Sequence, residues 1–255
     1  PPVDAGGYVR FNFPRKDLAV HVGDVAVPAP FALTGWVGFD GTPDSASAMG
    51  DLVLTVAELG PVLAELARQS VEVTAVHNHL AGEEPQVTYI HFHLIGPADR
   101  TAHGLDAALR LTGAPRPVTP AAAAAVTIDS AAVFTALGTH GKASGAMAQV
   151  GFVLVPGAVT MHGVSVLPVL GYSSPINVLQ VSATRAVATG DFAVTADQLP
   201  PLLAALASNG VTATAVHHHL VGEEPRIYFV HFWGDAPLAD LLRALRAALD
   251  ATKLP

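Results

Sequence analysis

Imidazole and carboxylate groups are concentrated in one short stretch, His77-Asn78-His79-Leu80-Ala81-Gly82-Glu83-Glu84-Pro85, followed by His91-Phe92-His93. The arrangement returns as His217-His218-His219-Leu220-Val221-Gly222-Glu223-Glu224-Pro225, followed by His231-Phe232-Trp233. The copies are offset by 140 residues, and 12 of the 19 residues over 74–92 match their partners. Of the 12 histidines in the chain, eight lie in these two motifs. Neutral imidazole donates a lone pair to zinc, copper or ferrous iron, and a nearby carboxylate adds charge or takes a proton from bound water. The chain has no cysteine, so thiolate sites and disulfides are excluded and a metal would be held by nitrogen and oxygen.

Spacing suggests how these groups meet. In an extended strand, residues two apart share a face, which puts His77 and His79 on one side. A hairpin turning about residue 84 would set His91 directly opposite His77, with Cβ atoms about 4.5–5.5 Å apart. The expected metal ligands are therefore His77, His79 and His91 in one copy and His217, His219 and His231 in the other. His93, on the face of His91, is an additional candidate, and its counterpart Trp233 offers an aromatic wall instead. Glu83 and Glu223 are candidate fourth ligands or catalytic bases. Glu84 and Glu224 would orient a ligand histidine, because metal-bound imidazoles usually donate their other N–H to a carboxylate or carbonyl. A structural alternative has these four glutamates capping the hairpin turns. His21, His162, His103 and His140 read as satisfied or solvated side chains.

The repeat also fixes the elements that must carry these groups. In each half, Leu59, Val62, Leu63 and Leu66, or Leu199, Leu202, Leu203 and Leu206, recur at helical spacing. Thr55 with Glu58 and Thr195 with Gln198 fit a capping box at the start of each helix. Residues 71–80 and 86–95 read as two strands joined by the 81–85 turn, with a helix over 98–111. Residues 211–220, 226–233 and 238–249 repeat that order. The unit is β-α-β-β-α with additional N-terminal strands, which predicts an α+β fold of antiparallel-leaning sheets covered by helices, the two copies in a pseudo-twofold arrangement. Expected boundaries are 1–112 for the first repeat, 113–128 for a linker rich in proline and alanine, and 129–255 for the second. Asp129 and Gly138 fit the cap and stop of a short helix between them.

Composition narrows the function classes. Hydrophobic residues are 51% and charged residues 13%, a balance that builds a core. Net charge −8 with only 13 Lys and Arg argues against nucleic acid. No apolar run approaches the ~20 residues of a membrane helix, so the chain as given reads as soluble. It opens Pro1-Pro2-Val3 without methionine, which reads as a processed or trimmed product. No serine-hydrolase elbow or glycine-rich phosphate loop is visible.

Gly190-Asp191-Phe192, Ala205-Leu206-Ala207, residues 211–216, Glu223-Glu224-Pro225-Arg226, His231-Phe232-Trp233 and residues 245–249 together resemble the LppY/LpqO family. Phe13-Pro14-Arg15 and Met49-Gly50-Asp51-Leu52-Val53-Leu54 are similar to it too. The resemblance implies a tandem repeat and export to the periplasm or bacterial cell envelope, with a lipid anchor, absent from this chain, as the link to a membrane. It implies no established reaction. The expectation is an envelope protein that binds a transition metal, zinc first and copper second. The alternatives are a metal-dependent hydrolase with a glutamate base and a metal-free module for a glycan or other small molecule, with Trp36, Trp233 and Tyr228 as stacking surfaces.

Overall fold

The computed structural model describes residues 3–4, 7–114 and 126–253. Most of the linker expected over 113–128 lies outside the described residues. The chain divides into two compact units, Pro1–Asn78 with Gly82–Thr119 and His79–Ala81 with Pro120–Pro255.

The first unit contains β1 (Val3–Asp4), β2 (Val9–Pro14), β3 (His21–Val22), β4 (Val25–Ala26), α1 (Ala29–Ala32), β5 (Thr34–Thr42) and β6 (Ser45–Thr55). It continues with α2 (Val56–Arg68), β7 (Glu72–His77), β8 (Glu83–Glu84), β9 (Val87–Gly96) and α3 (Ala98–Leu109). Six strands form one antiparallel sheet in the order β1-β2-β5-β6-β9-β7, and β4-β3-β8 form a small second sheet. The apolar stripe of α2 buries Val62 and Leu66 against Leu52, Leu54, Ile90 and Phe92. Its first turn is closed by the capping box of Thr55 and Glu58, with the Thr55 N–H donating to Glu58 Oε2 at 2.8 Å.

The second unit follows the same plan. It has α4 (Ser130–Leu137), β10 (Gly141–Ser144), β11 (Met147–Phe152), β12 (Val159–Met161), β13 (Val164–Val166), α5 (Pro168–Gly171) and β14 (Ser174–Gln180). Then come β15 (Ala186–Thr195), α6 (Leu199–Ser208), β16 (Thr212–His217), β17 (Glu223–Glu224), β18 (Ile227–Ala236) and α7 (Leu238–Ala251). The large sheet runs β10-β11-β14-β15-β18-β16 and the small one β13-β12-β17. Thus the fold is α+β, antiparallel and duplicated. Asp129 caps α4 by accepting from the Ala132 N–H at 3.0 Å, and Gly138 ends it in the left-handed region. Helix α6 starts at Leu199, and Gln198 just ahead of it turns back to accept the Thr195 N–H.

The simple hairpin drawn from the sequence is corrected here. Strand β7 stops at His77, residues 79–82 leave the sheet, and β8 pairs with β3 instead. A register shift between Val73 and Ala75 then sets His77 opposite Tyr89 and Ala75 opposite His91. His91 is diagonal to His77, not opposed to it. The second copy has the same shift, with His217 opposite Phe229.

Candidate metal centre

Each imidazole is placed by its strand. β9 and β18 are interior strands, so His91 and His231 are buried beneath flanking strands on both sides. On the other flank, Asp51 of β6 pairs with His91, and Asp191 of β15 pairs with His231. On their opposite flank, the preceding glycine lets β5 or β14 come close. A Cβ at Gly190 would stand 2.1 Å from the Pro175 carbonyl oxygen, and one at Gly50 would stand 2.2 Å from that of Trp36. Only a residue without a side chain fits there.

In the second unit, His231 Nδ1 lies 2.6 Å from Asp191 Oδ1 and 3.4 Å from the Gly190 carbonyl oxygen. Its Nε2 faces the Nε2 of His217 at 2.7 Å, with the rings stacked at 4.7 Å. The Nδ1–H of His217 donates to the His218 carbonyl at 2.7 Å. His79, which the contacts assign to this unit, sets its ring 4.0 Å from that of His231 and its Nδ1 3.8 Å from Asp191 Oδ1. The Thr214 hydroxyl anchors that segment by donating to the His79 carbonyl at 2.7 Å. Donor atoms of His79, Asp191 and His231 lie within 4.8 Å of one another and could hold a metal ion.

Burial sets the electrostatics. It pushes His79, His217 and His231 down to about 3, helped in His79 and His217 by the neighbouring His231. It raises Asp191 above the ordinary carboxylate value, against the opposing pull of His79, His217 and His219. Neutral imidazoles are the form that ligates a metal.

The first unit repeats the pair. His77 Nε2 faces His91 Nε2 at 2.9 Å, the rings stack at 4.5 Å, and the His77 Nδ1–H donates to the Asn78 carbonyl at 3.0 Å. Asp51 Oδ1 stands 3.9 Å from His91 Nδ1.

Several expectations change. His79 does not join His77 and His91; because β7 ends at His77, it belongs to the group around Asp191 and His231. His219 is buried, stacks on Phe229 at 4.7 Å and acts electrostatically on Asp191 and His231. His93 lies on the same face of β9 as His91, one pair further along, with Ser47 Oγ 3.3 Å from its Nε2 and Glu72 3.9 Å from its Nδ1. Glu83 and Glu223 are buried in their turns, where Oε1 accepts the Val87 N–H at 3.4 Å and the Ile227 N–H at 3.0 Å respectively. That is the capping role for Oε1 in each, while Oε2 of Glu223 is buried without a hydrogen-bond partner. Glu84 and Glu224 are exposed on the two-residue strands β8 and β17. Trp233 is half-buried on β18 opposite Thr189, and Tyr228 stacks against the exposed His218 at 5.4 Å. Trp36 is covered by the Arg10 guanidinium at 4.1 Å. His21 and His162 are exposed.

Asp51 and Asp191 are the residues the motif reading missed. Their signal is a lone carboxylate inside an otherwise apolar strand, at the same place in both repeats.

Among solved structures, the fused permuted hexameric shell protein MSM0275 from the RMM microcompartment is similar at 17% identity over 83% of this chain and 86% of that one. Its TM-score is 0.22, and a likeness that low bears on neither fold nor function. No curated protein matches the chain significantly. The family described as Domain of Unknown Function (DUF1259) matches over residues 3–111 and again over 131–251. With two matches spanning most of its length, the chain belongs to that family and carries its domain twice.

Proposed function

We propose that the protein binds a transition metal, zinc ahead of copper, and that it works in the bacterial cell envelope. The observation that carries the metal reading is the facing of the His217 and His231 rings across the diagonal of β16 and β18. Both Nδ1 atoms are turned to oxygen acceptors, so both Nε2 lone pairs point at each other across 2.7 Å. Two lone pairs at that distance repel unless a proton or a cation lies at them, and burial disfavours the proton. A carboxylate holding the far nitrogen of a histidine is the arrangement that orients imidazole ligands and raises their basicity. Nitrogen and oxygen donors without a thiol suit zinc, then copper. The envelope assignment is supported by the resemblance to the LppY/LpqO family, and the lipid anchor of a precursor is part of that proposal.

A metal-free relay is the competing reading, and the raised Asp191 favours it. A protonated Asp191 could donate to His231 Nδ1, and His231 Nε2–H could then donate to His217 Nε2. Equilibrium dialysis of chelator-treated protein against zinc and copper separates the readings. Stoichiometric zinc that is lost in His231→Ala supports the metal site. Absence of binding to the wild-type chain at micromolar metal supports the relay.

A further inference from the structure

The first unit holds a second group of chemistry-bearing side chains, separate from the pair of His77 and His91. Ser47, His93 and Glu72 stand on β6, β9 and β7, three neighbouring strands of the large sheet. His93 pairs directly with Glu72 on one side and with Met49, two residues from Ser47, on the other. All three therefore project from one face of the sheet. Ser47 Oγ lies 3.3 Å from His93 Nε2, and Glu72 Oε2 lies 3.9 Å from His93 Nδ1. A carboxylate at Nδ1 favours the proton there and leaves Nε2 to accept from the serine hydroxyl. Hydroxyl, imidazole and carboxylate in that order make an activated serine, an arrangement defined by geometry that occurs on unrelated folds. His93 is buried, whereas Ser47 is half-buried and Glu72 exposed, so the hydroxyl is within reach of solvent.

The duplicate shows that the frame does not need this trio. Registers align Ser47 with Val187, His93 with Trp233 and Glu72 with Thr212. All three members are exchanged together, while the neighbouring Asp51 and His91 are kept as Asp191 and His231. Such a pattern fits side chains that serve one another rather than the sheet. The flanking pairs bear on the substrate. Ser47 stands directly opposite Ile95 of β9, which is 45% exposed, and opposite Asp40 of β5. An exposed apolar side chain beside the hydroxyl receives an aliphatic acyl group, and the carboxylate on the other side repels an anionic one.

We propose that Ser47 is the nucleophile of a metal-independent esterase centre for neutral esters of short aliphatic acids. His93 is its general base and Glu72 the positioning residue that orients His93. Ser47 Oγ bonds to the ester carbonyl carbon as its proton passes to His93 Nε2. The bond from that carbon to the alkoxide oxygen breaks, and His93 gives the proton to the departing alcohol. Water then attacks the acyl-serine, losing a proton to His93, and the acid leaves as Ser47 regains that proton.

The test treats the full chain with a fluorophosphonate probe, whose phosphorus stands in for the acyl carbon, and locates the adduct by peptide mass spectrometry. The expected adduct is on Ser47, with or without chelator, and is absent in Ser47→Val, whose side chain the duplicate accommodates. His93→Gln should slow labelling about 100-fold. Glu72→Gln should slow it less and leave the melting temperature unchanged. It should also move the His93 ring-nitrogen resonances toward the Nε2–H tautomer, a change that a merely structural contact would not produce. A wild-type chain without an adduct on Ser47 overturns the proposal. So does labelling at equal rates in the wild-type and His93→Gln chains, or labelling that chelator abolishes.

Discussion

At the scale of single residues, the site depends on side chains that control histidines as much as on the histidines. Asp191 Oδ1 stands 2.6 Å from His231 Nδ1, so its removal should loosen the ring without emptying the core. Asp191→Asn is expected to weaken zinc binding about 10- to 100-fold, measured by competition with a chelating dye. Unchanged affinity would remove the carboxylate from the account. A separate buried charge sets the acid limit of the first unit. Arg15 donates to Glu58 at 2.8 and 3.0 Å and to Asp17 at 2.9 and 2.8 Å. Burial alone would raise Glu58, but bonds from Arg15 and from the Thr55 and Gly113 N–H groups outweigh it and hold the carboxyl below its ordinary value. The folded value then lies below the unfolded one near 4.3, so the stabilisation is complete above about pH 4.3 and is lost as pH falls through the folded value. Glu58→Gln should therefore flatten the decline of the urea midpoint below about pH 4.5. A slope identical to that of the wild-type chain would contradict this.

At the scale of elements, glycine decides how near the strands come. Gly190→Ala forces a Cβ against the Pro175 carbonyl at 2.1 Å, which must part β14 from β15 and shift Asp191. A loss of roughly 2–4 kcal/mol in stability, read from chemical denaturation, is expected, with weaker zinc binding alongside. Full stability with unchanged zinc affinity would show that the strand spacing is soft. This is also where the sequence was readable and where it was not. Offset and periodicity located α2, α3, α6, α7 and both hairpin pairs, because burial of one helical stripe leaves a regular record. The register of His77 against His91 left none. A one-residue shift between Val73 and Ala75 changes which residues oppose each other without changing composition. Residues 79–82 were read as strand continuing into the turn, whereas His79 leaves the sheet and joins the group around Asp191. Asp51 and Asp191 lie outside the histidine motif, and their signal is instead that a carboxylate within Met49-Gly50-Asp51-Leu52 is costly to bury without a partner. Glu83 and Glu223 are legible only as two alternatives, and the turn N–H groups of Val87 and Ile227 supply the capping one through Oε1.

At the scale of the whole molecule, duplication has preserved the frame and let the chemistry drift. His93 became Trp233, Asn78 became His218, and the Arg15–Glu58 pair is replaced in the second unit by Gln198, which donates to the Leu154 and Thr252 carbonyls at 2.9 and 2.7 Å. No described helix is long and apolar enough to cross a membrane. A ligand that binds the folded chain alone must stabilise it, so zinc at 100-fold its dissociation constant should add about 2.7 kcal/mol, seen as a higher melting temperature that chelator reverses. Unaltered melting under saturating zinc would deny linkage between site and fold. Zinc K-edge X-ray absorption on the reloaded full chain addresses the ligands themselves. A shell of nitrogen and oxygen at about 2.0–2.1 Å with imidazole outer-shell scattering, lost in His231→Ala, is the expected spectrum. An oxygen-only shell without imidazole scattering, or a spectrum unchanged in His231→Ala, would contradict a histidine-held metal.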